Sequence, residues 1–203
     1  MPGTARIPKQ AMPLTADGFR VSIASEADPE GNRSMATTRS ARQEDAAAVA
    51  AIGMRAWESA VAGWMDIALL RANAERAFAV FAVRSYVSID IADNGGQAVG
   101  WAARENFDNR ITDLWIDPPW QRQGFGRLLL DKLEADIQAQ GYDTATIETH
   151  AQNGTAIACL RHLGYSIHWM TAAWSPQLDR DVDTVGLVKR FEAAPQPPAY
   201  AEF

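Results

Sequence analysis

Residues 118–130 read PPWQRQGFGRLLL. Two prolines close whatever precedes them, Gly124 and Gly126 stand one residue apart, and a leucine-rich run begins at once between the flanking Arg122 and Arg127. Upstream, ITDLWID has the composition of a strand. Downstream, Phe125, Leu129, Leu133 and Ile137 form an i+4 row that Leu128 widens, which predicts a helix from about Gly124 to Gln140 with Gly141 as its stop. A strand, a Gly-x-Gly turn and a helix start together make an anion site. The first amides of a helix are unpaired, the helix dipole adds partial positive charge, and glycine lets a phosphate approach the backbone. Arg122 and Arg127 add charge-assisted contacts, although a plain turn with solvated arginines fits the same letters. Two familiar phosphate motifs do not fit. A dinucleotide fingerprint needs a small residue where Leu129 stands, and a P-loop needs Gly-Lys-Ser/Thr, which does not follow.

Strands and helices alternate around this stretch. TTRSAR reads as a first strand, and Gln43-Glu44-Asp45 opens a helix through AAAVAAIGMRAWESA. MDIALLRANAERAFAVFAV reads as a second helix, and YVSIDIADNGGQAVGWAARE as a hairpin turning at Asp-Asn-Gly-Gly. TATIETH is the next strand; Asn153 caps a helix with Ala156, Ile157, Leu160 and Leu163 on its apolar side and Gly164 at its end. YSIHWMTAAW and DTVGLVKRF are the last strands, and the class is α+β. Residues 1–34 lack a sustained period and read as a flexible tail, 35–192 as the domain, and 193–203 as a Pro-rich tail. Met35 is a plausible domain start and a candidate translation start.

With 203 residues, 47% of them apolar, the chain buries a sizeable core in one domain or at most two small ones. A net charge of -6 argues against general nucleic-acid binding, which needs a basic footprint. Cys159 is the sole cysteine, which excludes an intramolecular disulfide and the two-cysteine zinc patterns. His150, His162 and His168 show no ligand spacing, so no metal is expected. No apolar run reaches the ~18 residues of a membrane span, and the first residues do not form a secretory signal. A cytoplasmic monomer or homodimer is expected, with no membrane or nucleic-acid partner.

QRQGFG resembles the Gln/Arg-x-x-Gly-x-Gly/Ala signature of the Gcn5-related N-acetyltransferase superfamily, whose backbone amides cradle the pyrophosphate of acetyl-CoA. A second block, NGTAIACLRHLGY, resembles that family's Asn-x-x-Ala-x-x-x-Tyr-x-x-x-Gly-Phe helix, with Asn153, Ala156, Gly164 and Tyr165 in register. The resemblance spans roughly residues 36–191. It implies a mixed, mostly antiparallel sheet of six to seven strands, splayed between the fourth and fifth, with helices on both faces. Pantetheine would pair with the fourth strand along the main chain of Leu114, Trp115 and Ile116. Arg122, Gln123, Gly124, Phe125, Gly126 and Arg127 would take the pyrophosphate, and Asn153 a further contact.

The resemblance implies acetyl transfer from acetyl-CoA to a primary amine of a small molecule or a protein N-terminus. An ammonium cannot attack, so a base must take its proton. Glu148, five residues before Asn153, matches a glutamate of the ribosomal-protein alanine N-acetyltransferase branch; a place on a solvated strand face is the plainer alternative. His150, on the same strand face, is a possible relay, although a satisfied histidine is the commoner case. Where the family usually has a general-acid tyrosine, this chain has Leu160, a core residue by its spacing. That departure favours a second reading, a non-catalytic acyl-CoA sensor. Trp57, Trp64 and Trp101 suggest an aromatic acceptor cleft, but core packing explains them equally well.

Overall fold

The computed structural model describes residues 21–22, 36–63, 65–175 and 180–192. Its elements in chain order are β1 (Val21–Ser22), β2 (Ala36–Ser40), α1 (Ala46–Val61), α2 (Ile67–Arg84), β3 (Ile89–Asn94), β4 (Gln97–Ala103), β5 (Arg110–Ile111) and β6 (Asp113–Ile116). They continue with α3 (Phe125–Ala139), β7 (Thr144–His150), α4 (Gly154–His162), β8 (Ser166–Ser175) and β9 (Arg180–Arg190). Strand order divides them into a five-stranded sheet, β1-β6-β4-β3-β2, and a four-stranded sheet, β5-β7-β9-β8.

The division falls inside the stretch read as a single strand. Arg110–Ile111 pairs parallel with β7, whereas Asp113–Ile116 pairs antiparallel with β4. Thr112 joins them, its backbone N–H donating to the Ala103 carbonyl at 2.8 Å and its hydroxyl to the same oxygen at 3.1 Å. The fourth and fifth strands of the sequence-based count, β6 and β7, therefore lie in different sheets that touch at Thr112 and part beyond it. This is the expected splay, with the short β5 as an addition.

Helices cover both faces of the first sheet. α1 and α2 bury Ile52, Trp57, Phe78 and Phe81 against Ile89, Ile91, Trp101 and Trp115. The Trp101 indole N–H donates to the Val49 carbonyl at 2.9 Å, tying the sheet to α1. On the opposite face, Phe125, Leu129, Leu133 and Ile137 of α3 meet Leu114, Ile116, Ile147 and Leu187, as the i+4 row requires. Alternation along β6 sends Trp115 to one layer and Leu114 and Ile116 to the other. A buried polar link adds to the second layer: Glu134 of α3 accepts from the Tyr165 hydroxyl at 2.9 Å and from Lys189 of β9 at 2.6 Å. Burial and that carboxylate raise the Tyr165 phenol well above its ordinary range.

At the other end, Arg39 of β2 holds both carboxylate oxygens of Asp45, at 2.8 and 2.9 Å, and reaches Asp93 of β3 at 3.2 Å. The clamp ties the start of α1 to the sheet. One expectation differs at this level. Within the segment read as a tail, Val21–Ser22 forms a strand on the edge of β6; the rest of 1–34 and all of 193–203 lie outside the described residues.

Candidate active site

The loop between β6 and α3 is tied down before it reaches the glycines. Asp117 donates its N–H to the Val99 carbonyl at 3.0 Å, and its carboxylate takes a two-pronged contact from Arg55 of α1 at 2.8 and 2.7 Å. That contact raises the arginine above its usual range. Pro118–Trp120 makes a single 3-10 turn, with Trp120 edge-on to Phe125 at 5.9 Å. The Gln121 carboxamide donates to the Ile116 carbonyl at 3.0 Å and that of Gln123 to the Pro119 carbonyl at 2.9 Å.

Held in this way, the chain enters the left-handed region twice, at Arg122 (φ 64°) and at Gly124 (φ 86°). For Arg122 this conformation costs about 1 kcal/mol or more, a strain that tends to persist at functional sites. Gly124 is the N-cap of α3 and brings no side chain to the cap, so the helix start is left to its backbone. Phe125 and Gly126 are buried beneath it, while Arg122 and Arg127 extend into solvent. Arg127 has only a loose partner, Asp131 at 3.7 Å, with both side chains about 60% exposed (60% and 61%). The arrangement suits a phosphate: amides and dipole at the helix start, no Cβ at Gly124, and two arginines at the rim.

Beside this loop runs the outer edge of β6. Its inner edge pairs with β4, Trp101 opposite Trp115 and Ala102 opposite Leu114. On the outer edge, β1 pairs in parallel, Val21 with Leu114 and Ser22 with Trp115. The edge thus accepts an extended partner, on the same main-chain positions expected to take pantetheine.

Across the splay, β7 alternates Ala145, Ile147 and Thr149 into the core with Thr146, Glu148 and His150 on the other face. Glu148 is half-buried at 30% exposure and meets Arg110 of β5 at 2.9 Å. Directly opposite Glu148 is Gly186 of β9, and opposite Gly186 is Trp169 of β8. Residues so paired project on one face. A Cβ on Gly186 would lie 2.1 Å from the Trp169 ring, so the indole is laid across the glycine. A register shift between Ile167 and Trp169 gives the indole this aim, as bulges near sites often do. One row therefore carries a carboxylate with its guanidinium partner and a half-exposed aromatic ring seated on a glycine.

The profile of the acetyltransferase (GNAT) family matches residues 41–165. The chain belongs to that family. It is an acetyl-CoA-dependent N-acetyltransferase. The [Ribosomal protein bS18]-alanine N-acetyltransferase of Escherichia coli K12 is 29% identical over 112 residues, which covers 55% of this chain and 76% of that protein. A GCN5-related N-acetyltransferase from Rhodopseudomonas palustris superposes with a TM-score of 0.64 at 23% identity, over 78% of this chain and 97% of that one. The PaiA N-acetyltransferase of Thermoplasma acidophilum, solved with coenzyme A, gives 0.59 at 15% identity, over 77% and 99%. Among the described residues no helix is long and apolar enough to cross a membrane.

Within this acetyltransferase, several other residues singled out in the sequence have contacts within the fold. Asn153 caps α4, its Oδ1 accepting from the Ala156 amide at 3.3 Å and its amide group donating to Thr149 at 3.1 Å. It is buried, and both ends of the carboxamide serve the fold. His150 is buried and accepts from the Gln152 amide at Nδ1, 3.0 Å, which makes it a satisfied histidine. Leu160 is fully buried and its side chain cannot donate a proton; Cys159 beside it is a buried free thiol. Trp57 and Trp101 are core residues, and Trp64 lies outside the described residues.

The aromatic on the Glu148 face is instead Trp169. A glycine inside the DTVGLVKRF strand was the available signal, because such a glycine marks close approach. Arg110 and the Arg55–Asp117 contact left no comparable sign. They depend on pairings 38 and 62 residues apart along the chain (110 to 148, 55 to 117).

Proposed function

We propose that the enzyme acetylates the primary amine of a protein N-terminus by direct transfer, with Glu148 as the base. The observation that carries the reading is the row Arg110–Glu148–Gly186–Trp169, a half-exposed carboxylate beside a flat apolar surface at the splay. The relative named for acetylating a ribosomal-protein alanine supports the choice of a peptide amine over a small molecule. Acetyl-CoA brings the activated acetyl group as its thioester. The residues for its two ends are Arg122, Gln123, Gly124, Phe125, Gly126 and Arg127 around the pyrophosphate, and the main chain of Leu114, Trp115 and Ile116 beside pantetheine.

Glu148 accepts the proton that an arriving ammonium must lose before nitrogen can attack. Arg110, held to its Oε1, fixes where that carboxylate sits. Gly186 seats the Trp169 indole, and the ring gives the acceptor's first side chain an apolar wall. Leu160 cannot protonate the leaving group, and the departing sulfur takes its proton from solvent. The test is Glu148→Gln, assayed by thiol release with alanine-initiated peptides. Turnover should fall about 100-fold, as for loss of a general base, with acetyl-CoA affinity nearly unchanged. A variant that keeps the wild-type pH–rate profile disqualifies Glu148.

A further inference from the structure

The outer edge of β6 raises a question of occupancy. Asp113–Ile116 is buried along its whole length, and buried main-chain groups must be paired. Residues along a strand direct their N–H and C=O groups alternately to the two sides. Of the four residues of β6, only about half therefore point outward, away from β4. Two residues of partner strand are enough to meet so short an edge. Val21–Ser22 is that long, it pairs in register with Leu114 and Trp115, and it runs beside α1 and α4.

We propose that the chain segment at Val21–Ser22 is a built-in occupant of the cofactor edge of β6, displaced when acetyl-CoA binds. The inference rests on the assignment of the Leu114–Ile116 main chain to pantetheine. Given that assignment, the two cannot be satisfied together, because one set of outward N–H and C=O groups serves both. Docked, the segment satisfies a buried edge that otherwise faces the splay with open hydrogen-bonding groups. Released, it leaves the edge to the cofactor. The consequence is a tax on affinity: the apparent dissociation constant rises by the inverse of the fraction of molecules with the edge open. A segment docked nine-tenths of the time raises it about tenfold. The enzyme then responds to higher acetyl-CoA levels than its open form would.

The test uses the full chain. Val21→Pro combined with Ser22→Pro removes two N–H donors from a two-residue strand at the end of its sheet, and thermal unfolding confirms that the variant is folded. Titration calorimetry with acetyl-CoA should show binding about tenfold tighter in the double variant than in the wild type. Hydrogen exchange in the wild type should show the peptide around residues 20–23 protected without acetyl-CoA and unprotected at saturation. Equal affinity of the two chains refutes the occlusion and leaves the cofactor site standing, as does protection that persists at saturation. If neither chain binds acetyl-CoA, the cofactor assignment itself fails and the inference with it.

Discussion

Gly124 and Gly141 make a matched pair of perturbations at the two ends of α3. Both are left-handed, at φ 86° and 88°. Alanine at either position meets the same backbone penalty, about 1–2 kcal/mol for an L-residue held in that region. In a chain of this size each substitution should lower the melting temperature by about 2–8 °C. The surroundings separate the two. Nothing lies within 4 Å of a Cβ added at Gly141, and that glycine only stops the helix. A Cβ at Gly124 stands at the helix start, the position proposed for the pyrophosphate. Gly124→Ala should therefore weaken acetyl-CoA binding by tenfold or more, about 1.4 kcal/mol, while Gly141→Ala leaves it unchanged. Thermal unfolding followed by calorimetric titration measures both quantities on the same samples. A folded Gly124→Ala protein that binds acetyl-CoA as tightly as Gly141→Ala would refute the assignment of the loop to phosphate.

Two other substitutions probe the frame and the acceptor face. Asp45→Asn should lower stability at neutral pH by about 1 kcal/mol, the scale of a partly exposed ion pair. The Arg39 contact holds the Asp45 carboxyl below its usual range, so the native state favours the ionised form. That stability is present above about pH 4, the ordinary carboxylate value, and is lost as pH falls through the lower native value. Urea denaturation at pH 7 and below pH 3 should show the gap between variant and wild type closing; a constant gap means the clamp is not electrostatic. Gly186→Ala forces the Trp169 ring off its seat, since the added Cβ would lie 2.3 Å from the indole nitrogen. It should raise KM for alanine-initiated peptides with little change in acetyl-CoA affinity, and an unchanged peptide KM removes Trp169 from the acceptor site.

What the sequence disclosed and what it hid divide along a physical line. The donor side is local: a strand, a proline stop, two glycines and an amphipathic helix are written consecutively from Ile111 to Ile137, and each element depends on its neighbours in the chain. The i+4 row of α3 and the burial of Leu160 were legible for the same reason, because helical period alone decides which side faces in. The acceptor side is assembled by pairing. Glu148 was visible as a residue, but its guanidinium partner depends on a two-residue strand joining β7 in parallel, which no run of letters announces. Asn153 was legible as a cap for the same local reason as the α3 row, and its side chain accepts from the Ala156 amide as that reading requires.

Trp169 carries this reasoning one step further. Strict alternation through YSIHWMTAAW would put Trp169 on the same side as Ile167, and Ile167 pairs with Leu187, a core residue. The shift between Ile167 and Trp169 breaks that phase and lays the indole over Gly186 instead, on the face of Glu148. One extra residue in an edge strand thus moves an aromatic ring from the helix-covered side of the sheet to the side of Glu148, the proposed acceptor face. Deleting His168 makes Ile167 and Trp169 neighbours, and alternation then keeps the ring opposite Gly186 on the Glu148 face. Trp169→Ala removes the ring instead and should reproduce the acceptor defect of Gly186→Ala without touching the glycine, with the binding of acetyl-CoA as the measure that the donor half is intact. Peptide KM at the wild-type value in a folded Trp169→Ala protein would mean that the ring is only a feature of the edge and that the acceptor lies elsewhere.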